Sequence, residues 1–111
     1  MATTPKPLLD PTTIAASTTT YYTVPTATTT IIKHFALHNT SASPVQVTVY
    51  LVESGGTAGV GNQLFKKTLA ALESLQVFAA INATLETGAS IQCSAGTGSV
   101  VSLHVSGNEV T

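Results

Sequence analysis

His34 and His38 are the first residues of this 111-residue chain whose type and spacing could hold a metal. Four apart on a helix, two imidazoles share one face and can ligate a single ion. Their surroundings, TTTIIKHFALHN, are rich in β-branched and aromatic residues and favour a strand. On a strand the two rings stand about 13 Å apart by rise alone. That spacing predicts polar-face histidines and no metal site within one chain, leaving open a ring of histidines about a symmetry axis. His104 falls on the polar face of the last expected strand, where it can neighbour the other two.

Nucleophilic and acid–base chemistry are poorly provided. Serine is frequent, but there is no G-x-S-x-G, and Asp10 is the one aspartate. Glu53, Glu73, Glu86 and Glu109 fall at strand ends or turns, where solvated glutamates are ordinary and no glycosidase pair is evident. Between Gly55 and Gly61 four glycines occupy seven positions, and Gly56 and Gly61 have the spacing of a phosphate-binding loop. Asn62 stands where that loop requires lysine, so a mobile connection is expected. Cys93, the single cysteine, reads as a small buried hydrophobe. Tyr21, Tyr22 and Tyr50 could stack on a sugar ring, although packing within or between sheets suits them better. Asn39-Thr40-Ser41 and Asn82-Ala83-Thr84 match the glycosylation triplet and read as accidental in a chain without a secretion signal. The expectation is a non-enzymatic protein with no cofactor.

The elements that carry these residues are strands. Thr28 to Val52 reads as a long hairpin whose second half alternates Val45, Val47, Val49 and Leu51 with Gln46, Thr48, Tyr50 and Val52. Its first half places Ile31, Phe35 and Leu37 on one face, interrupted by Lys33, and Ile32, His34, Ala36 and His38 on the other, with the reversal at Asn39 to Pro44. Further strands are expected over Thr18–Val24, Gln63–Leu69, Leu75–Asn82, Ser90–Ser94 and Ser99–Ser106, with Gly107-Asn108 as the end. On Leu75–Asn82 the alternation turns Leu75, Val77, Ala79 and Ile81 inward and leaves Phe78 on the other face, a candidate partner contact. Residues 1–17 hold Pro5, Pro7 and Pro11 and read as an extended arm, with Leu8, Leu9 and Ile14 as anchors onto a neighbouring surface. The fold expected is all-β: a two-sheet antiparallel sandwich or jelly roll of seven to eight strands over residues 18–111, preceded by that arm.

Composition narrows the partners. Charged residues are 8% of the chain, the formal net charge is -1, and there are four lysines and no arginine, which argues against direct nucleic-acid binding. With 43% apolar residues the chain can fold, yet no apolar run approaches the roughly 18 residues of a membrane helix. The start, MATTPKPLLDP, has prolines where a signal peptide has its apolar segment, so synthesis in a cytoplasm is expected. Threonine fills 20 positions, giving hydroxylated sheet faces with few charges to guard strand edges. Copies of the chain or partner chains are therefore expected to cover them.

The run TTYYTVPTATTTIIKHFALHNTSASPVQVTVYLVESGG, the glycine-rich loop after it, and LETGASIQCSAG further on resemble small structural proteins encoded in the virion modules of tailed bacteriophages. The resemblance covers roughly residues 20–110 in strand order and phrasing. It implies a β-sandwich built into a capsid or tail in many copies, often as a trimer, and supplies no site residue. Together these readings predict a virion protein that decorates and cements the capsid. It would bind itself and the major capsid protein or a tail protein, with the arm as clamp and the Gly55–Gly61 loop as a contact element. Removing residues 1–17 would then leave the fold intact. A tail, neck or fibre protein and a carbohydrate- or receptor-binding module are the alternatives.

Overall fold

The computed structural model describes residues 2–111. It is an all-β sandwich of two antiparallel sheets. Ten strands build it: β1 (Thr3–Pro7), β2 (Thr12–Thr13), β3 (Thr19–Thr23), β4 (Thr29–Asn39), β5 (Val45–Val52), β6 (Gln63–Leu69), β7 (Ser74–Gln76), β8 (Thr84–Leu85), β9 (Ser90–Ala95) and β10 (Val101–Val110). One sheet runs β1-β10-β4-β7, with β2 also on β10 and β8 also on β4; the other runs β3-β9-β5-β6. We call them sheets A and B. The count of ten exceeds the seven to eight expected, because β1 and β2 form where an arm was anticipated and β8 forms just past the strand expected over Leu75–Asn82.

The N-terminal segment is extended, as expected, but it is strapped along β10. Thr3 to Pro7 pair with Val110 to Ser106, and Thr12 and Thr13 pair with Leu103 and Ser102. The Leu8 and Ile14 amides donate to the carbonyls of Val105 (3.0 Å) and Val101 (2.9 Å). Their side chains lie in the chain's own core, Leu8 7% and Ile14 0% exposed. These two anchors therefore grip their own domain, which corrects their assignment to a neighbour's surface. The physical reason is that β10 carries Val101, Leu103 and Val105 inward, and Leu8 and Ile14 extend that apolar surface.

The expected hairpin at Thr28–Val52 is also corrected. β4 belongs to sheet A and β5 to sheet B, so the turn carries the chain across the sandwich. Each strand is apolar on one face, and placing them in opposed sheets lets both faces share one core. Asn39 fastens the crossing from a fully buried position. Its Nδ2 donates to the carbonyls of Ser43 (2.9 Å), Ala70 (3.1 Å) and Leu69 (3.3 Å), and its Oδ1 accepts from the Ser41 amide (3.0 Å).

A bulge interrupts β4. Ser106 pairs with His34 and Gly107 with Ile32, leaving Lys33 as the extra residue. The bulge flips the period: Thr30 and Ile32 are buried before it, Lys33 and His34 are both exposed, and Phe35, Leu37 and Asn39 are buried after it. Ile32 joins the core in place of Ile31 for this reason. Across the ladder, a β-carbon on Gly107 would collide with the Ile31 carbonyl oxygen. Glycine permits the close approach there, and β10 continues to Val110 instead of ending at Gly107-Asn108.

The sheet edges are blunted within the chain. β1 carries Pro5 and Pro7, which lack a donor, while β7 and β8 are three and two residues long. In sheet B, the ladders shift so that Tyr21 is an extra residue on β3 and Leu64 one on β6. On β6, Lys67 pairs with the fully buried Val47 but is itself exposed at the sheet edge, its amine 3.8 Å from Glu73. Prolines, bulges, short strands and an edge lysine are devices that keep edges from pairing with other chains. Low charge content alone therefore does not demand partner chains over these edges.

Candidate functional site

The β4 bulge organises the most prominent surface feature. β7 pairs with Ala36 to His38 and β8 with Thr30 and Ile31, so the chain between them must pass the bulge unpaired. It does so as a 3-10 turn, Phe78–Ala80, in place of the strand expected over Leu75–Asn82. The Val77 amide donates to the Phe35 carbonyl (2.8 Å) and the Asn82 amide to the Ile32 carbonyl (2.6 Å), so both ends of the turn grip the strand on either side of the bulge. Lys33, the bulged residue, donates from Nζ to Asn82 Oδ1 at 2.8 Å. Val77 and Ala80 point into the core, Ala80 in place of the expected Ala79, and Phe78 is left 75% exposed at the tip.

Two further large apolar side chains are exposed at the two ends of β6, Val60 (92%) before it and Leu72 (65%) after it, while the Phe78 turn packs against both β4 and β6. Leu72 adopts a φ of 61°, uncommon for a branched residue, and is held there by its amide donating to the Ser41 carbonyl (3.2 Å). Glu73 Oε1 accepts from the Ala70 amide at 2.8 Å and tightens the same turn. Sequence reasoning singled out Phe78 and missed Leu72 and Val60, which lie in segments read as connections. Of the four residues expected to touch partners, Phe78 is exposed, Leu9 is half-buried, and Leu8 and Ile14 are internal. The structure does not bring Phe78 together with the other three.

The outer face of sheet A gathers the three histidines. His104 pairs with Ala36, and His34 and His38 stand two residues to either side of Ala36 on β4. A trough of about 270 Å³ between Leu9, Pro11 and the strands is lined by His34, Ala36 and His104; a second, of about 370 Å³, runs on to Leu75 and Gln76 and adds His38. The His38 Nδ1 lies 2.8 Å from Ser74 Oγ. Among the described residues no group of three or more His, Cys, Asp or Glu side chains is arranged to hold a metal ion.

A polar clamp joins the sheets near the end of β10. The Tyr22 hydroxyl donates to Glu109 Oε2 at 2.5 Å and lies 2.7 Å from Thr30 Oγ1, and Lys6 Nζ sits 3.3 Å from Glu109 Oε1. Burial, then the Glu109 carboxylate, pushes the Tyr22 phenol up to about 12. The hydrogen bond from Tyr22, assisted by Lys6 against the opposing effect of desolvation, holds the Glu109 carboxyl below its usual range. Tyr22 is 8% exposed and presents no face to a sugar. Cys93 is fully buried, and burial pushes its thiol up to about 12, which leaves it protonated and unreactive.

One pocket opens at the end of the sandwich. About 290 Å³ in volume, it is floored by Leu51, Leu85 and Ala89 and rimmed by Glu53, Ser54, Glu86 and Thr87. Its mouth is the reason Leu51, expected inside, is only half-buried. Comparison with protein-family models, with curated proteins and with solved structures gives no match.

Proposed function

We propose that this chain is a non-enzymatic structural protein of a tailed-phage virion, a capsid decoration protein that stabilises the assembled shell. It docks through Phe78, with Leu72 and Val60, the exposed apolar side chains at the two ends of β6, as further contacts. The observation that carries this reading is Phe78: an aromatic side chain 75% exposed on a short turn hydrogen-bonded at both ends to the central strand β4. An aromatic anchor on a rigid protrusion loses little freedom on entering a partner's pocket, and such residues dominate interface energetics. The resemblance of the sequence to phage virion proteins supplies the identity of the partner, a capsid or tail chain. Repetition over a particle would turn a small contact per copy into a large resistance to opening.

The test is co-sedimentation of purified protein with particles lacking it, from the phage whose genome encodes it, using separated capsids and tails. Binding to capsids, weakened at least tenfold by the pair Phe78→Ser and Leu72→Ser, is expected. Binding to tails would move the protein to the neck or tail, and binding to neither would overturn the reading.

The end pocket favours a second reading, a carbohydrate- or receptor-binding module on the virion surface. Its apolar floor with Glu53, Ser54, Glu86 and Thr87 around it offers hydrogen-bonding groups to a hydroxylated ligand. A glycan array with wild type and Glu86→Gln distinguishes this: specific binding lost in the variant would support it, and an array with no signal would remove it.

A further inference from the structure

On a single strand His34 and His38 are too far apart to share an ion, but the fold sets a third imidazole between them on the neighbouring strand. His104 faces Ala36, so His34 and His38 are each its diagonal neighbour. Diagonal positions of an antiparallel pair lie about 7–8 Å apart, within reach of long and aromatic side chains. Ala36 between them contributes only a methyl group, and His34, Ala36 and His104 line the same trough. His34 and His104 are exposed, so their rings can turn toward a shared point without disturbing the core. His38 has its Nδ1 2.8 Å from Ser74 Oγ; in the tautomer in which that nitrogen donates, Nε2 keeps its lone pair for a metal, as in a histidine ligand fixed by a hydrogen bond from its other nitrogen. Lys33, next to His34 in the chain, is engaged by Asn82 Oδ1, and Lys6, on the strand beside β10, by Glu109.

We propose that the outer face of sheet A binds a borderline divalent transition metal, Zn²⁺, Ni²⁺ or Cu²⁺, through His104 and one of its two diagonal neighbours. Neutral imidazole suits these ions, whereas a face of histidine, alanine and serine without carboxylates does not suit Ca²⁺ or Mg²⁺. Two protein ligands leave the remaining positions to water or to a donor on another molecule, so the site is open and of moderate affinity, unlike a closed four-ligand structural centre.

Isothermal titration of the untagged full chain with NiCl₂ and ZnCl₂ at pH 7.5, repeated at pH 5.5, is the test. One ion per chain is expected at pH 7.5, with affinity falling at least tenfold at pH 5.5 because protonated imidazole cannot ligate. His104→Ala should weaken binding at least tenfold, and one of His34→Ala or His38→Ala should do the same, identifying the pair. His104→Gln repeats the test with a bulkier side chain, and circular dichroism reports that each variant is folded. Binding that survives both His104 variants, or that neither flanking variant alters, overturns the proposal, as does no binding at millimolar metal. CaCl₂ should give no heat, and equal affinity for Ca²⁺ would also contradict an imidazole site.

Discussion

Replacing Ile14 by alanine removes three carbons from a side chain with no exposed surface, sited where the N-terminal strap meets β10. At about 0.8 kcal/mol per buried CH₂ the transfer loss alone is about 2.4 kcal/mol. The cavity left behind adds to this, and the range for such truncations is about 2–5 kcal/mol. Against a total stability of about 5–15 kcal/mol that is a large share. With an m-value of about 1.5 kcal/mol/M in urea, a loss of about 3 kcal/mol moves the unfolding midpoint down by about 2 M. The assay is urea denaturation followed by circular dichroism, with Thr12→Ala as control, since Thr12 is exposed beside it and should shift the midpoint little. Deleting residues 1–17 should go further, stripping one edge from β10 and removing Leu8 and Ile14 together, and should yield a chain that does not fold cooperatively. A midpoint for Ile14→Ala within about 0.3 M of wild type, at unchanged m, would refute the reasoning. The segment would then be a detached arm, and the domain would stand on residues 18–111 alone.

Tyr22→Phe leaves the mostly buried Glu109 carboxylate and Thr30 hydroxyl short of a partner and should cost about 1.5–3 kcal/mol at pH 7 by urea melts. Glu109 has a folded pKa below its unfolded value of about 4.3, so its contribution is present above that pH and is lost as pH falls through the folded value. Wild type should therefore lose more stability than Tyr22→Phe on going from pH 5 to pH 3. The Tyr22 phenol is raised, so its contribution holds below about pH 10 and fades as pH climbs toward about 12, an alkaline limb the variant should lack. Gly107→Ala drives a β-carbon into the Ile31 carbonyl and should cost about 1–3 kcal/mol, with amide exchange quickened at Val77 and Asn82, whose bonds flank the bulge. Asn39→Ala strips the hydrogen bonds that fasten the crossing from β4 to β5 and should cost at least about 2 kcal/mol in the same urea assay.

Where alternation runs unbroken, the sequence is a faithful guide to which face is buried. Val45, Val47 and Val49 on β5, Ile91 and Cys93 on β9, and Val101, Leu103 and Val105 on β10 all lie inward, as period two requires. The pattern breaks at Lys33, but period two alone does not reveal a bulge there, in which one extra residue changes the face of everything beyond it. The cue was Gly107, on a strand about 70 residues away. A polar turn such as Asn39 to Pro44 reads alike whether it closes a hairpin or crosses between sheets. What distinguishes the two is the burial of Asn39 against Leu69 and Ala70, a tertiary fact. Leu8 and Ile14 sit among prolines without periodicity, and their burial comes from β10, not from any local pattern. Phe78 is exposed for a different reason from the one its alternation suggests: it tips a 3-10 turn imposed by the bulge, and does not face outward from a strand. The histidines on β4 follow their strand period, since the bulge precedes His34, and the register of β10 brings His104 between them.

The Phe78 turn beside β6 is the proposed surface of attachment to a particle. Its most direct measurement is the occupancy of purified protein on capsids, comparing wild type with Phe78→Ser and confirming by circular dichroism that the variant is folded. Saturable binding of wild type and at least a tenfold weaker interaction for the variant are expected, with thermal unfolding unchanged because Phe78 is exposed and packs little. Equal occupancy by the two proteins would contradict it, and would leave the outer face of sheet A or the end pocket as the surface to examine next.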